Sequence, residues 1–249
     1  MDKAEREHLK HNDTADALFA ASTYLGRHGR TLGLSAVALL LVVGILFGYR
    51  AFSARTEERA QAQLAAAVDV MGAPVAPAPA SGTLAVPPPA GTFATEAARN
   101  DAALRQLMAA ADAYPKSDAG VQARYYAASL LADANRPGDA AAAYEQVRQH
   151  AGTSTLLGRM ATLGKASMQV RQKDFDAAIK SLQDLAARRD GPLPLDAVLM
   201  QLADAYQQAG RAAEAAQTLQ RVVNEFPQGP YAADARQRVE ALAVAPKVS

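Results

Sequence analysis

The chain has 249 residues, with 26 Lys and Arg against 25 Asp and Glu, and it contains neither Cys nor Trp. Zero cysteine excludes disulfides, thiolate catalysis, Cys-ligated zinc and iron–sulfur clusters. A net charge of +1 lacks the basic excess that nucleic-acid binding requires. Half of the residues are hydrophobic, about a quarter are alanine and only 6% are aromatic. Alanine is the strongest helix former and packs helices closely, so the expected fold class is all-α.

Residues 1–30 form a polar tail with five basic and five acidic side chains. His8 and His11 stand three apart near Glu5 and Glu7, a spacing open to metal ligation that reads here as a solvated segment. Residues 31–50 are the predicted transmembrane helix. Leu32 to Tyr49 is eighteen residues without a charge, eleven of them Leu, Ile, Val or Phe. At about −0.3 to −0.6 kcal/mol each, they favour insertion by about −3 to −7 kcal/mol. The run reaches about 27 Å, close to the hydrocarbon thickness. It has no polar face, as a helix in a soluble core would. Thirty residues precede it, and a cut after Ala54 would leave Phe52 at the −3 position, so it reads as an uncleaved anchor. Arg27 and Arg30 on one side against Arg50, Arg55 and Arg59 on the other leave its orientation open.

Residues 51–71 continue as a juxtamembrane helix, with Arg55, Glu57, Glu58 and Arg59 as a solvated face. Residues 72–94 are a Pro/Ala-rich linker holding Pro74, Pro77, Pro79, Pro87, Pro88 and Pro89. Proline fixes φ and removes a donor, so the expectation is an extended spacer that holds the next domain up to about 60 Å away.

Residues 95–243 are helical and repetitive, followed by a short tail, 244–249. Ala203 and Ala215 are small enough to let two helices approach, Tyr206 and Leu219 fill the space between them, Gly210 permits the turn, and Pro227 ends the second helix. The series recurs 37 residues upstream at Ala166, Ala178, Leu182 and Leu185, and 38 residues earlier again at Ala128, Leu131, Asn135, Ala140, Tyr144 and Val147. Asn135 tolerates the positive φ of the turn, and Lys173-Asp174-Phe175 stand at the corresponding place. Leu107, Ala110 and Pro115 mark a lone leading helix, and Tyr231 to Ala243 a closing one. The series resembles the tetratricopeptide repeat, which implies an α-solenoid of three helix hairpins between a leading helix and a cap.

The resemblance also implies a concave groove lined by the first helix of each hairpin. Its positions are Gln122, Tyr125, Ser129, Ala132 and Asp133 in the first, and Met160, Leu163, Ser167, Val170 and Arg171 in the second. The third supplies Ala197, Met200, Asp204, Gln207 and Gln208. The chaperone-binding members clamp a C-terminal carboxylate with Lys and Asn; Asp133, Arg171 and Asp204 replace that clamp here. A nearly neutral, Met-containing groove suits adaptable peptide contacts. No phosphate loop, HExxH, GxSxG or paired-carboxylate motif is present, so no catalytic, cofactor or metal site is expected. Tyr144 and Tyr206 fall on core positions, and His150 ends a helix.

Asp16-Ala17-Leu18-Phe19 through Arg30, then the apolar run, Tyr49-Arg50 and degenerate repeats, resemble the ancillary subunit of the bacterial Sec translocon. That family usually lacks so long a proline spacer. The resemblance implies a non-catalytic, single-pass inner-membrane scaffold with a periplasmic repeat domain, its partners being translocon subunits, periplasmic chaperones or emerging clients. Asn224 to Ala232 also resembles the repeats of envelope proteins that coordinate cell division, which makes an envelope assembly or division scaffold the alternative.

Overall fold

The computed structural model describes residues 13–76, 89–188 and 191–244, so His8 and His11 lie outside the described residues. Two compact units divide the chain, Met1–Arg55 and Thr56–Ser249. The described residues form nine α-helices: α1 Asp13–Met71, α2 Glu96–Ala113, α3 Asp118–Asp133, α4 Pro137–Ala151, α5 Leu156–Arg171, α6 Phe175–Ala187, α7 Leu195–Gln208, α8 Ala212–Glu225 and α9 Ala232–Val244.

In the first unit, α1 exposes its large apolar side chains on every side; Leu40 is 70% and Phe47 75% accessible. Among the described residues it is one helix long and apolar enough to cross a membrane. Left in water, this surface would cost about 25 cal/mol per Å².

In the second unit, successive helices pair as antiparallel neighbours from α2 to α9, an all-α solenoid as the repeat pattern implies. Each hairpin turn ends its first helix in the same way. Arg136 N–H donates to Leu131 O, Asp174 N–H to Gln169 O, and Arg211 N–H to Tyr206 O, at 2.9, 2.8 and 2.8 Å. The residue before each donor is left-handed: Asn135 at φ 54°, Lys173 at 64° and Gly210 at 75°. This closure satisfies carbonyls that a helix C-terminus otherwise orphans.

Between hairpins, a hydroxyl does two jobs. Ser117 Oγ donates to Tyr114 O (3.1 Å) and accepts from Gly120 N–H (2.9 Å). Thr155 Oγ1, 38 residues on, donates to Gly152 O and accepts from Gly158 N–H, both at 3.1 Å. A Cβ on Gly120 or on Gly158 would stand 1.9 Å from that same loop carbonyl, so neither position admits a side chain.

The expected solvated juxtamembrane face requires correction, and the described ends of the 72–94 segment lie together. Ala67 is fully buried against Ala103 and Leu107 of α2 and Ala123 and Ala127 of α3, with Leu64, Val70 and Met71 packed alongside. The C-terminal end of α1 is therefore the first helix of a fourth hairpin, and α2 is its second helix rather than a lone one. Ala76 N–H donates to Phe93 O at 2.8 Å and Phe93 N–H to Pro74 O at 2.9 Å, joining the ends of the proline-rich stretch in one parallel bridge. Val75 and Phe93, on either side of residues 77–88, thus stand together. The chain closes this way because Leu64 and Ala67 continue the helical apolar stripe, which α2 alone leaves half uncovered.

Glu57 leaves the solvated face as well. Its carboxylate accepts from Asp118 N–H and Ala119 N–H, both at 2.9 Å, capping α3 from sixty residues away. A negative charge at a helix N-terminus satisfies orphan donors and opposes the helix dipole. Glu58 and Arg59 remain exposed.

Two stability changes follow. Glu57→Ala is expected to destabilise the repeat unit by about 1 kcal/mol, in the range of a lost N-cap, read as the urea midpoint of the full chain in detergent. Lys173→Gly is expected to stabilise it by about 0.5 kcal/mol, because relieving about 1–2 kcal/mol of left-handed strain outweighs the added freedom of the unfolded chain. An unchanged midpoint would show that Lys173 carries no strain.

Candidate functional site

The first helices α3, α5 and α7 lie against one another in series, so their outward positions form one continuous face. Gln122, Asp133, Ser167 and Gln208 are exposed on it, and Met160 and Ala197 are half-buried.

The other expected groove positions are engaged by the fold. Tyr125 stacks edge-on against Tyr126 at 6.2 Å and against Tyr144 at 5.5 Å between ring centroids. Burial raises the Tyr125 phenol, with Tyr126 adding to the shift. Tyr144 is raised chiefly by burial, with Tyr125 and Asp133 contributing, while its hydrogen bond with Ser129 pulls the other way. Gly164 makes room for that ring, since a Cβ there would stand 2.6 Å from it. Ser129 therefore serves the aromatic packing as well as the face.

Ala132 and Met200 are buried, Met200 in the core shared by α7 and α8, which leaves Met160 as the methionine at the expected groove. Leu163 and Val170 pack half-buried beside the neighbouring core of α6 and α7. Arg171 Nη1 donates to Ala132 O at 2.7 Å, covering the C-terminal end of α3 from the next hairpin. Arg238 of the closing helix α9 donates to both Asp204 and Gln207. The charges expected to replace the carboxylate clamp thus largely pair within the stack, leaving Asp133 exposed. Sequence reasoning missed Arg238 and Glu57, because a contact from outside the repeat has no place in its register.

A second charged cluster joins two hairpins. Glu145 of α4 accepts from Arg148, from Gln149 at 3.0 Å, and from Lys165 of α5 at 2.9 Å. The Arg148 hydrogen bonds hold its carboxyl down from 4.5 to about 2; burial opposes this, and Lys165 and Gln149 reinforce it. Among the described residues no group of three His, Asp or Glu side chains is placed to hold a metal ion. His150 is exposed in the last turn of α4.

Residues 126–194 and 169–239 match two models of the tetratricopeptide repeat. Among solved structures, the chain resembles the nearly identical TPR-like repeats of a Podosopora anserina protein named for kinesin light chain. The two are 13% identical over 75% of this chain and 85% of that one, with a TM-score of 0.55. MamA is 18% identical over 58% of this chain and 77% of its own, with a TM-score of 0.48. No curated protein matches the chain. The repeat unit is thus a tetratricopeptide-repeat-like solenoid, and identities this low speak of fold alone.

The Glu145 cluster sets a pH dependence. Its folded carboxyl is depressed, so its contribution is present above the unfolded value near 4.5 and is lost as pH falls from there toward 2. The thermal midpoint of the full chain should fall across that window. Glu145→Gln should lower the midpoint at neutral pH and flatten its slope below 4.5; an identical slope would show that other carboxyls carry the acid sensitivity.

Proposed function

We propose that this chain is a membrane-anchored, non-catalytic scaffold that presents its first-helix face to other proteins. We place it beside the Sec translocon, single-pass in a bacterial inner membrane, with the repeats in the periplasm, where they meet chaperones or emerging clients. The observation that carries the reading is the face itself. Gln122, Ser167 and Gln208, at different heights on three consecutive first helices, are exposed, whereas the charged side chains near them are largely occupied within the stack. Tetratricopeptide repeats mediate protein–protein contacts, and this face is the part of the stack that packing leaves over. The uncovered apolar length of α1 supports membrane anchoring. The location beside the translocon rests on the resemblance carried by Asp16 to Arg50 and the degenerate repeats, and it orients the anchor with the N-terminus in the cytoplasm.

Three experiments test this reading. Full-length protein purified in mild detergent is expected to bring translocon subunits with it, identified by mass spectrometry. Recovery of division or outer-membrane assembly factors in their place would move the scaffold to that process. Gln122→Arg with Ser167→Arg is expected to weaken recovery of soluble partners about tenfold without altering the thermal midpoint, since like-charge or steric mismatch at a contact costs upward of about 1.4 kcal/mol. A phosphatase reporter after Ser249 should be active; activity only of a cytoplasmic reporter would overturn the periplasmic placement.

A further inference from the structure

Three cavities among the described residues recur at one place in the repeat, between a first helix and the second helix of its own hairpin, on the side away from the first-helix face. Their volumes are about 290, 300 and 510 Å³. Arg124, Thr162 and Leu199 occupy one equivalent lining position, 38 and 37 residues apart. Another is filled by Ala143, Ser181 and Thr218.

The middle cavity departs from its sisters. Lys165 lines it where the corresponding residues are Ala127 and Leu202, both buried packing residues. The fold needs no ammonium here, because alanine and leucine close the other two positions. Arg148 of α4 and Arg188 beyond α6 line the same cavity, with the hydroxyl-bearing Thr153 and Ser181. Asp184 is the one acidic residue in the lining, and Glu145 stands behind it. Three cations against these two carboxylates leave one net positive charge.

Donors also outnumber acceptors. Lys165 has three N–H donors, of which Glu145 takes one; Arg148 has five, of which Glu145 takes two. Glu145 thus holds the two cations side by side at the cavity wall without exhausting them. Side chains fixed in this way lose little further freedom on meeting a ligand, which favours binding. Arg, Lys and hydroxyl donors lining one cavity suit a tetrahedral oxyanion. A cavity of about 300 Å³ is large enough for a phosphate group with a few attached carbons and sits at the lower end of small-molecule sites.

We propose that the cavity between α4, α5 and α6 binds a phosphate oxyanion, either free phosphate or the phosphate group of a small solute. Arg148, Lys165 and Arg188 supply the charge, and Thr153 and Ser181 the neutral donors. The scaffold would then carry a small-molecule site at the junction of the hairpins α3–α4 and α5–α6, separate from the proposed protein-binding face.

The test uses the full chain in a neutral detergent, titrated calorimetrically with inorganic phosphate and, separately, with glycerol 3-phosphate, at ionic strength held constant with chloride. Saturable binding of at least one is expected. Tighter binding of glycerol 3-phosphate would identify the solute as the ligand, and equal binding free phosphate. Lys165→Leu, which places the residue of position 202 at this site, is expected to weaken binding about tenfold, in keeping with the loss of a charge-assisted hydrogen bond. Arg188→Ala, at an exposed position outside the core, should do the same and guards against a folding defect in the first variant. Arg221→Ala, in the third cavity, should leave binding unchanged. No saturable heat with either probe, or affinity untouched by both Lys165→Leu and Arg188→Ala, would overturn the proposal.

Discussion

Two fully buried alanines in each hairpin set the distance between its helices: Ala67 with Ala103, Ala128 with Ala140, Ala166 with Ala178, and Ala203 with Ala215. A methyl group at these positions brings helix axes toward the short end of the 8–10 Å range, and the larger side chains on either side then have a defined gap to fill. Leu107, Val147, Leu182 and Leu219 fill it and are themselves buried. A larger residue at any of the eight positions would push the helices apart and disturb these neighbours, each at a cost of about 1–3 kcal/mol. The alanine-rich composition is a consequence of that geometry.

The same constraint explains the fate of the N-terminal segment. Helix α2 shares Ala103 and Leu107 with a core to which α3 contributes Ala123 and Ala127, and the end of α1 completes it with Ala67 and Leu64. Closing that surface brings the ends of the proline-rich stretch together at Val75 and Phe93. Glu57 then reaches the N-terminus of α3, so the hairpin is joined to the next by a charged cap as well as by packing.

The two sides of the stack differ in how their charged side chains are used. On the first-helix face, the solenoid uses Arg171, Asp204 and Gln207 to bind its own neighbours, which leaves exposed amides and hydroxyls as the surface available to another protein. On the other side, the middle hairpin keeps charge where its sisters keep alanine and leucine. The Glu145 cluster belongs to both descriptions, since it fastens α4 to α5 and also positions Arg148 and Lys165. Charged side chains in a repeat array are thus best read position by position against their equivalents; the departure from the register marks them more clearly than the charge itself.

Sequence alone determined the all-α class, the apolar helix, the order of the repeat hairpins and the turn positions Asn135, Lys173 and Gly210. These depend on local periods and on φ preferences, which neighbouring residues carry within a few positions of one another. Tertiary structure alone decided that the end of α1 is a repeat helix, that Glu57 caps α3, that Met200 is core, and that Arg238 covers Asp204 and Gln207. Each of these joins residues outside a single repeat's register, or turns a side chain inward where helical periodicity allows either direction. Such choices are made by which surfaces remain uncovered once the hairpins have stacked, and that is a property of the assembled solenoid rather than of any one segment.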